Sequence, residues 1–213
     1  MSTYEEMDRM YRFQRYFYDL TRAYYLLGRD MLIDQLTVRS GDNVLEIGCG
    51  TGRNLAILAA QNPGANFYGL DASAEMLVTA ESKLRKKGIT NVDIKKGLAE
   101  EFDFGRTFGL EQPFDSIFFS YSISMIPAWR EAFQNALDNL KKRRSIHIVD
   151  FCDQRELPAW FGKALRFWLR QFRVRNPVGF RSFVEQLESG GVGKHEFAPI
   201  YRGYSFVFRF DKN

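Results

Sequence analysis

No apolar run in this chain of 213 residues approaches the ~20 residues that a bilayer-spanning helix needs, so no transmembrane segment is expected. The N-terminus, Met1-Ser2-Thr3-Tyr4-Glu5-Glu6, is acidic and has no apolar stretch behind it, which argues against a secretory signal. Cysteine is scarce. Cys49 and Cys152 both fall at predicted strand ends, and they read as free thiols in a reducing cytosol, not as a disulfide or metal pair. Histidine is equally scarce. His147 sits inside a predicted strand and His195 near the start of a later one, so both suit the sheet better than a histidine-dependent mechanism. There is no internal repeat and no low-complexity linker. The net charge of +4 is modest, and its distribution matters more than its sum.

What is present is a chain long enough for one domain with a sizeable core. Residues 1–213 are expected to form that single domain, with 1–36 as an N-terminal helical segment and 37–213 as the core. The stretch Asn43–Arg53 organises the rest. Val44, Leu45 and Ile47 read as a buried strand, Gly48, Gly50 and Gly52 follow at alternate positions, and Asn54–Leu58 begins a helical pattern. Such a strand-to-helix turn lets a ligand approach bare backbone beside the unpaired N–H groups of a helix start. A dinucleotide site would show G-x-G-x-x-G, but Arg53 stands at the sixth position. Glu46, at the loop mouth, suits a ligand carrying an ammonium group better than a pyrophosphate. Together these features resemble the E/D-x-G-x-G-x-G loop of class I S-adenosylmethionine-dependent methyltransferases. A tight turn alone accounts for one glycine and poorly for three.

Residues 4–36 look helical, with a break near Gly28, and interleave aromatics with Arg9, Arg12, Arg15, Arg22 and Arg29. They read either as a helix covering the domain or as a lid that presents tyrosines to a substrate. The runs Met10–Tyr16, Tyr18–Arg22 and Tyr24-Tyr25-Leu26-Leu27-Gly28-Arg29-Asp30 resemble the BtaB-type betaine-lipid methyltransferases, bacterial enzymes that N-methylate diacylglyceryl-homoserine. The resemblance continues through Glu46–Arg53 and Tyr68–Leu77 and returns at Asp150–Trp168. It implies a Rossmann-like α/β fold, a seven-stranded mostly parallel sheet with helices on both faces and the last strand antiparallel. It also implies three successive methylations, after a separate pathway partner has attached homoserine to diacylglycerol.

Asn66–Asp71 reads as the second strand. Asp71 lies 25 residues after Glu46, near the ~20 expected of an acid that grips ribose hydroxyls; it could otherwise cap the helix that follows. By similarity, Ala72 and Met76 flank an adenine ring. A basic helix, Ala74–Lys87, leads to a third strand near Val92–Lys95. In Gly97-Leu98-Ala99-Glu100, Leu98 replaces the Asp found in related enzymes. The adenine edge would then be read by the Ala99 backbone or another side chain, with Leu98 as an apolar wall and Glu100 a solvated or capping acid. Pro113–Ser122 supplies a fourth strand, which places Ser120, Tyr121 and Ser122 near the transferring methyl. The acid/Asn-Pro-Pro-aromatic motif of nucleic-acid base methyltransferases is absent there, which argues against a nucleic-acid substrate. Trp129–Leu140 reads as a helix, Lys141–Arg144 as a basic turn and Ser145–Asp150 as a fifth strand, with strands at Lys194–Ile200 and Arg202–Phe210 closing the chain.

Leu157, Phe161, Leu165, Trp168 and Phe172 recur at helical spacing, and from Gln154 to Arg181 seven Lys/Arg, among them Arg166, Arg170 and Arg173, face one acid, Glu156. The pattern fits both an interfacial helix on an anionic membrane and a crossover helix packed on the sheet. The expected reaction is methyl transfer from S-adenosylmethionine to a lipid amine in the cytoplasm, with docking on the inner face of the membrane. An α-amino group with a reference pKa of about 8 needs no strong base. Tyr18, Tyr24, Tyr25 and Tyr121 are the candidate rings for cation–π contact with the quaternary product, and Arg29 the candidate partner of a carboxylate, either the cofactor's or homoserine's. Alternatives are a phosphatidylethanolamine or soluble-amine methyltransferase, a non-catalytic cofactor-binding subunit, and an RNA methyltransferase.

Overall fold

Apolar residues at alternate positions of the central strands face two separate cores. In β1 (Asn43–Ile47), Leu45 and Ile47 enter one core and Val44 the other. In β4 (Phe114–Ser120), Ile117 and Phe119 oppose Phe118, and in β5 (Leu140–Phe151), Ile146 and Ile148 oppose Val149 and Phe151. Strands buried on both faces need helices on both faces. The computed structural model describes residues 26–171, 174 and 177–213, apart from the side chains of Ala159, Arg166, Arg170 and Gln171. Over those residues it forms one seven-stranded sheet of order β3-β2-β1-β4-β5-β7-β6, completed by β2 (Asn66–Asp71), β3 (Val92–Lys96), β6 (Gly193–Ile200) and β7 (Ser205–Lys212). Strands β1 to β5 pair in parallel, and β7 runs antiparallel between β5 and β6.

The helices are α1 (Arg29–Gln35), α2 (Arg53–Gln61), α3 (Ala74–Lys86), α4 (Phe104–Phe108), α5 (Trp129–Asp138), α6 (Ala159–Gln171) and α7 (Phe180–Ser189), with a 3-10 turn at Ile123–Met125. Helix α1 starts directly after Gly28, which has φ of 90°, while the expected helix before it lies outside the described residues. Much of the phenylalanine serves the core under α5 and α7, where Phe133 meets the rings of Phe180, Phe183, Phe208 and Phe210, mostly edge-on. On the other face, Leu165 and Leu169 of α6 pack with Leu26, Tyr121, Phe151 and Tyr204. The expected crossover packing of α6 is therefore real along one edge. Phe161 lies outside that edge, exposed together with Trp160 and Phe167, while Arg166, Arg170, Phe172 and Arg173 fall outside the described side chains.

The basic run Lys141–Arg144 is not a free turn but part of β5. It forms a bulge: between the Phe114–Leu140 and Ser116–Ser145 pairings β5 uses more residues than β4, with Arg143 at φ of 57°. The charges explain why it stays. Asp115, buried in β4, takes Lys141 Nζ at 2.9 Å, Arg144 Nη2 at 2.9 Å and the Asn43 N–H at 3.0 Å, and Arg144 also reaches Asp42 at 3.2 Å. Two of the four basic residues are thereby neutralised at the amino ends of β1 and β4. Neither α4 nor α7 was legible from the sequence pattern.

Asp115→Ala removes the acceptor shared by three donors. Because Lys141 and Arg144 remain about one-third exposed, they can rehydrate. The expected loss is about 1–3 kcal/mol of unfolding free energy, read from urea denaturation, with methyl transfer retained at temperatures well below the midpoint.

Candidate functional site

The sheet order reverses between β1 and β4, and a cleft opens there at the carboxyl ends of the strands. Its floor is the glycine loop. Gly48, Gly50 and Gly52 all have positive φ, at 75°, 54° and 69°. Gly48 is doubly constrained, because a Cβ there would stand 2.4 Å from the Ser122 Cβ. Ser122 reinforces the approach by donating its Oγ proton to the Ile47 carbonyl at 2.7 Å. Gly52 serves packing: it precedes α2, and a Cβ on it would meet Ala80 of α3 at 3.1 Å.

Asp71 fastens the loop to the end of β2. Its carboxylate accepts from the Gly50 N–H at 2.7 Å and from the Ser73 N–H at 2.9 Å while lining the cleft. The helix-cap alternative falls to Ser73, whose Oγ accepts from the Met76 N–H at 3.4 Å. Ala72, Met76, Leu98 and Ala99 line the same cleft, as does Gly50. So does Glu100, against the expectation of a solvated or capping acid. The opposite wall, Met125, Ile126 and Pro127, had no sequence signal beyond lying between β4 and α5.

Below the floor, Glu46 is buried. Its Oε1 accepts from Asn54 Nδ2 at 2.7 Å, and its Oε2 has no hydrogen-bond partner among the described residues. Burial pushes its carboxyl up to about 8, against the opposing pull of the Asn54 bond and the Arg29 charge. Ser120 Oγ is also buried without a hydrogen-bond partner among the described residues. Glu46, Gly52, Ser120 and Arg29 stand around the cleft without lining it.

Tyr121 does line it. Its backbone is held at φ of 54°, an uncommon conformation for a side chain of that size. Its ring sits edge-on to Phe151 at 4.7 Å, and its hydroxyl donates to the Leu27 carbonyl. Burial drives the phenol above its usual range, so it stays protonated at neutral pH. What Tyr121 offers the cleft is an aromatic surface and not a base. Tyr18, Tyr24 and Tyr25 lie outside the described residues.

Residues 38–197 match a family profile described as a methyltransferase domain. The chain belongs to that methyltransferase family. Demethylmenaquinone methyltransferase of Geobacillus stearothermophilus is similar over 214 aligned residues at 23% identity, covering 96% of this chain and 83% of that protein. Among solved structures, Haemonchus contortus phosphoethanolamine N-methyltransferase 2, in complex with phosphomonomethylethanolamine and S-adenosylhomocysteine, superposes with a TM-score of 0.68 at 16% identity, over 87% of this chain and 53% of that one. An O-methyltransferase family 2 protein from Planctomyces limnophilus superposes with a TM-score of 0.66 at 17% identity, over 92% and 61%.

The chain is thus an S-adenosylmethionine-dependent methyltransferase with the expected Rossmann-like sheet. The cleft of this methyltransferase fits the cofactor on its own chemistry: a side-chain-free floor, an acid beside it, apolar walls at Met76 and Leu98, and an orphaned carboxylate oxygen under the loop. Both cysteines are buried and neither is in a disulfide, and no metal-binding cluster occurs among the described residues. Both histidines belong to the sheet. His147 is buried in β5, its ionisation pushed down to about 4 chiefly by burial, and His195 on β6 meets Glu188 at 2.5 Å and stacks on Phe208.

Asp71→Ala is expected to weaken S-adenosylmethionine binding at least about tenfold, or about 1.4 kcal/mol, by calorimetry; unchanged affinity would remove Asp71 from cofactor holding. Glu46 makes a pH prediction. Its folded carboxyl titrates above the unfolded value of 4.5, so its stabilising contribution is complete below pH 4.5 and is lost as pH rises through about 8. In the cofactor-free protein, Glu46→Gln should become progressively more stable relative to wild type between pH 5 and about 8, with no further gain above that, as read from urea midpoints. A difference independent of pH would show that Glu46 is already ionised in the fold.

Proposed function

We propose that this methyltransferase N-methylates diacylglyceryl-homoserine, carrying it to the trimethylated betaine lipid. The observation that carries the reading is the wall where acceptor and methyl donor would meet. It is aromatic and apolar, with Tyr121 beside Met125 and Ile126, and neither histidine reaches it. An amine suits such a wall. With a pKa near 8, part of it is neutral at pH 7 and can react without a protein base. When bound, S-adenosylmethionine supplies a sulfonium methyl that the nitrogen lone pair takes while the carbon–sulfur electrons remain on sulfur. Asp71, the loop amides, Met76, Leu98 and Ala99 would hold the cofactor, and Glu46 with Arg29 would set the charge around its amino-acid end. Tyr121 would exclude water and offer its ring to the increasingly methylated cation. Tyr18, Tyr24 and Tyr25, which lie outside the described residues, are the further candidate rings for the headgroup. The run Tyr24–Asp30 supports this acceptor by its resemblance to the betaine-lipid enzymes.

A second reading has its own support. Similarity to demethylmenaquinone methyltransferase spans nearly the whole chain, so a demethylated membrane quinone is a rival acceptor. Purified protein with isotopically labelled S-adenosylmethionine should be offered diacylglyceryl-homoserine, phosphatidylethanolamine and demethylmenaquinol in mixed micelles, with products read by mass spectrometry. Mono-, di- and trimethylated homoserine lipid is the expected result. Methylation of either other acceptor alone would keep the enzyme class and overturn the proposed substrate.

A further inference from the structure

Helix α6 has two apolar faces, and among the described residues one of them packs on the core. Leu165 and Leu169 are buried in the core that also holds Tyr121 and Tyr204. Trp160, Ala164 and Phe167, at spacings of four and three, fall on the side of the helix away from them, and all three are exposed. Trp160 is 73% and Phe167 67% exposed, and Phe161 lies edge-on to Trp160. A helix that only covered a sheet would carry polar residues on its outer stripe.

The charge around this stripe selects the occupant. Lys163 is exposed beside it, and the surrounding stretch from Gln154 to Arg181 holds seven basic residues against Glu156. In sequence, Arg166 and Arg170 follow Lys163 at the three- and seven-residue intervals of one helical stripe. Two copies meeting through this face would oppose like charges. An anionic bilayer offers complementary charge to the basic residues and an apolar interior to the rings, and tryptophan favours that boundary.

We propose that the outer face of α6 docks this protein on anionic lipid bilayers, with Trp160 and Phe167 entering the interface and Lys163 meeting the headgroups. The same helix packs through Leu165 and Leu169 on the core containing Tyr121, so docking would hold the cleft close to the lipid surface. The inference rests on the exposed face and does not depend on which acceptor is methylated.

The test is flotation of the full chain with vesicles of phosphatidylcholine alone or mixed equally with phosphatidylglycerol. Wild type should bind the anionic vesicles, and W160S/F167S should lower the partition coefficient at least about tenfold. K163E should lower it severalfold, with the loss vanishing in high salt. Because all three residues are exposed, the variants should keep the wild-type melting midpoint and S-adenosylmethionine affinity. Failure of wild type to bind anionic vesicles, or equal binding by W160S/F167S, would overturn the proposal. So would a wild-type dimer in sedimentation that W160S/F167S abolishes, which would assign the face to a second copy. Vesicle binding without methylation of the homoserine lipid would support docking while sinking the proposed acceptor.

Discussion

The site depends on how closely two backbones approach where β1 and β4 part. At Gly48 the chain turns left-handed against Ser122 with no room for a Cβ, and the Ser122 hydroxyl holds the end of β1 through the Ile47 carbonyl. Asp71 then fixes Gly50 from the other side, through a backbone N–H. The loop is pinned by β2 and by the segment after β4 at once, so its floor is set before any ligand arrives. Gly52 continues the constraint into packing by letting α2 start against Ala80 of α3. A side chain at any of these glycines would have to adopt a positive φ; at Gly48 it would also clash with Ser122, and at Gly52 it would press on Ala80.

The two ends of the sheet treat polar groups in opposite ways. At the amino ends of β1 and β4, buried Asp115 and its neighbour Asp42 are paired with Lys141 and Arg144. At the carboxyl ends, Glu46 Oε2, Ser120 Oγ and Ser124 Oγ are buried with no hydrogen-bond partner among the described residues. Burying an acceptor without a donor costs free energy, and in Glu46 the cost appears as a carboxyl that holds its proton up to about pH 8. Such a defect is tolerable beside a cleft whose ligand brings donors. The strained backbone of Tyr121 lies at the same end.

Periodicity explains what could be read in advance. Val44, Leu45 and Ile47 announced a buried strand before the glycine turn, and the seven-stranded α/β fold was what the resemblance carried by that loop and its flanking motifs implied. The loop with Glu46, and Asp71 one strand later, announced the ligand end of the sheet. Other parts were hidden for identifiable reasons. Four consecutive basic residues read as a basic turn because nothing local reveals that Asp115, 26 residues from Lys141, would bind two of them inside a strand. Helix α4 is only five residues long, too short for a periodic signal. Glu100 looked solvent-directed because its role depends on where β3 ends relative to the loop after β1.

The sequence by itself determined the position of the ligand end, because glycine freedom and the reach of an acid after β2 are local properties, and its motifs carried the resemblance that implied the sheet. Tertiary structure decided the rest, because it depends on residues distant in the chain coming within a few ångströms. The approach of Ser122 to Gly48 made the first glycine obligatory. The carbonyl of Leu27 turned the Tyr121 hydroxyl away from any role as a base. The second core took one edge of α6 and left Trp160 and Phe167 facing outward, a division that the helix's own pattern of apolar residues does not specify.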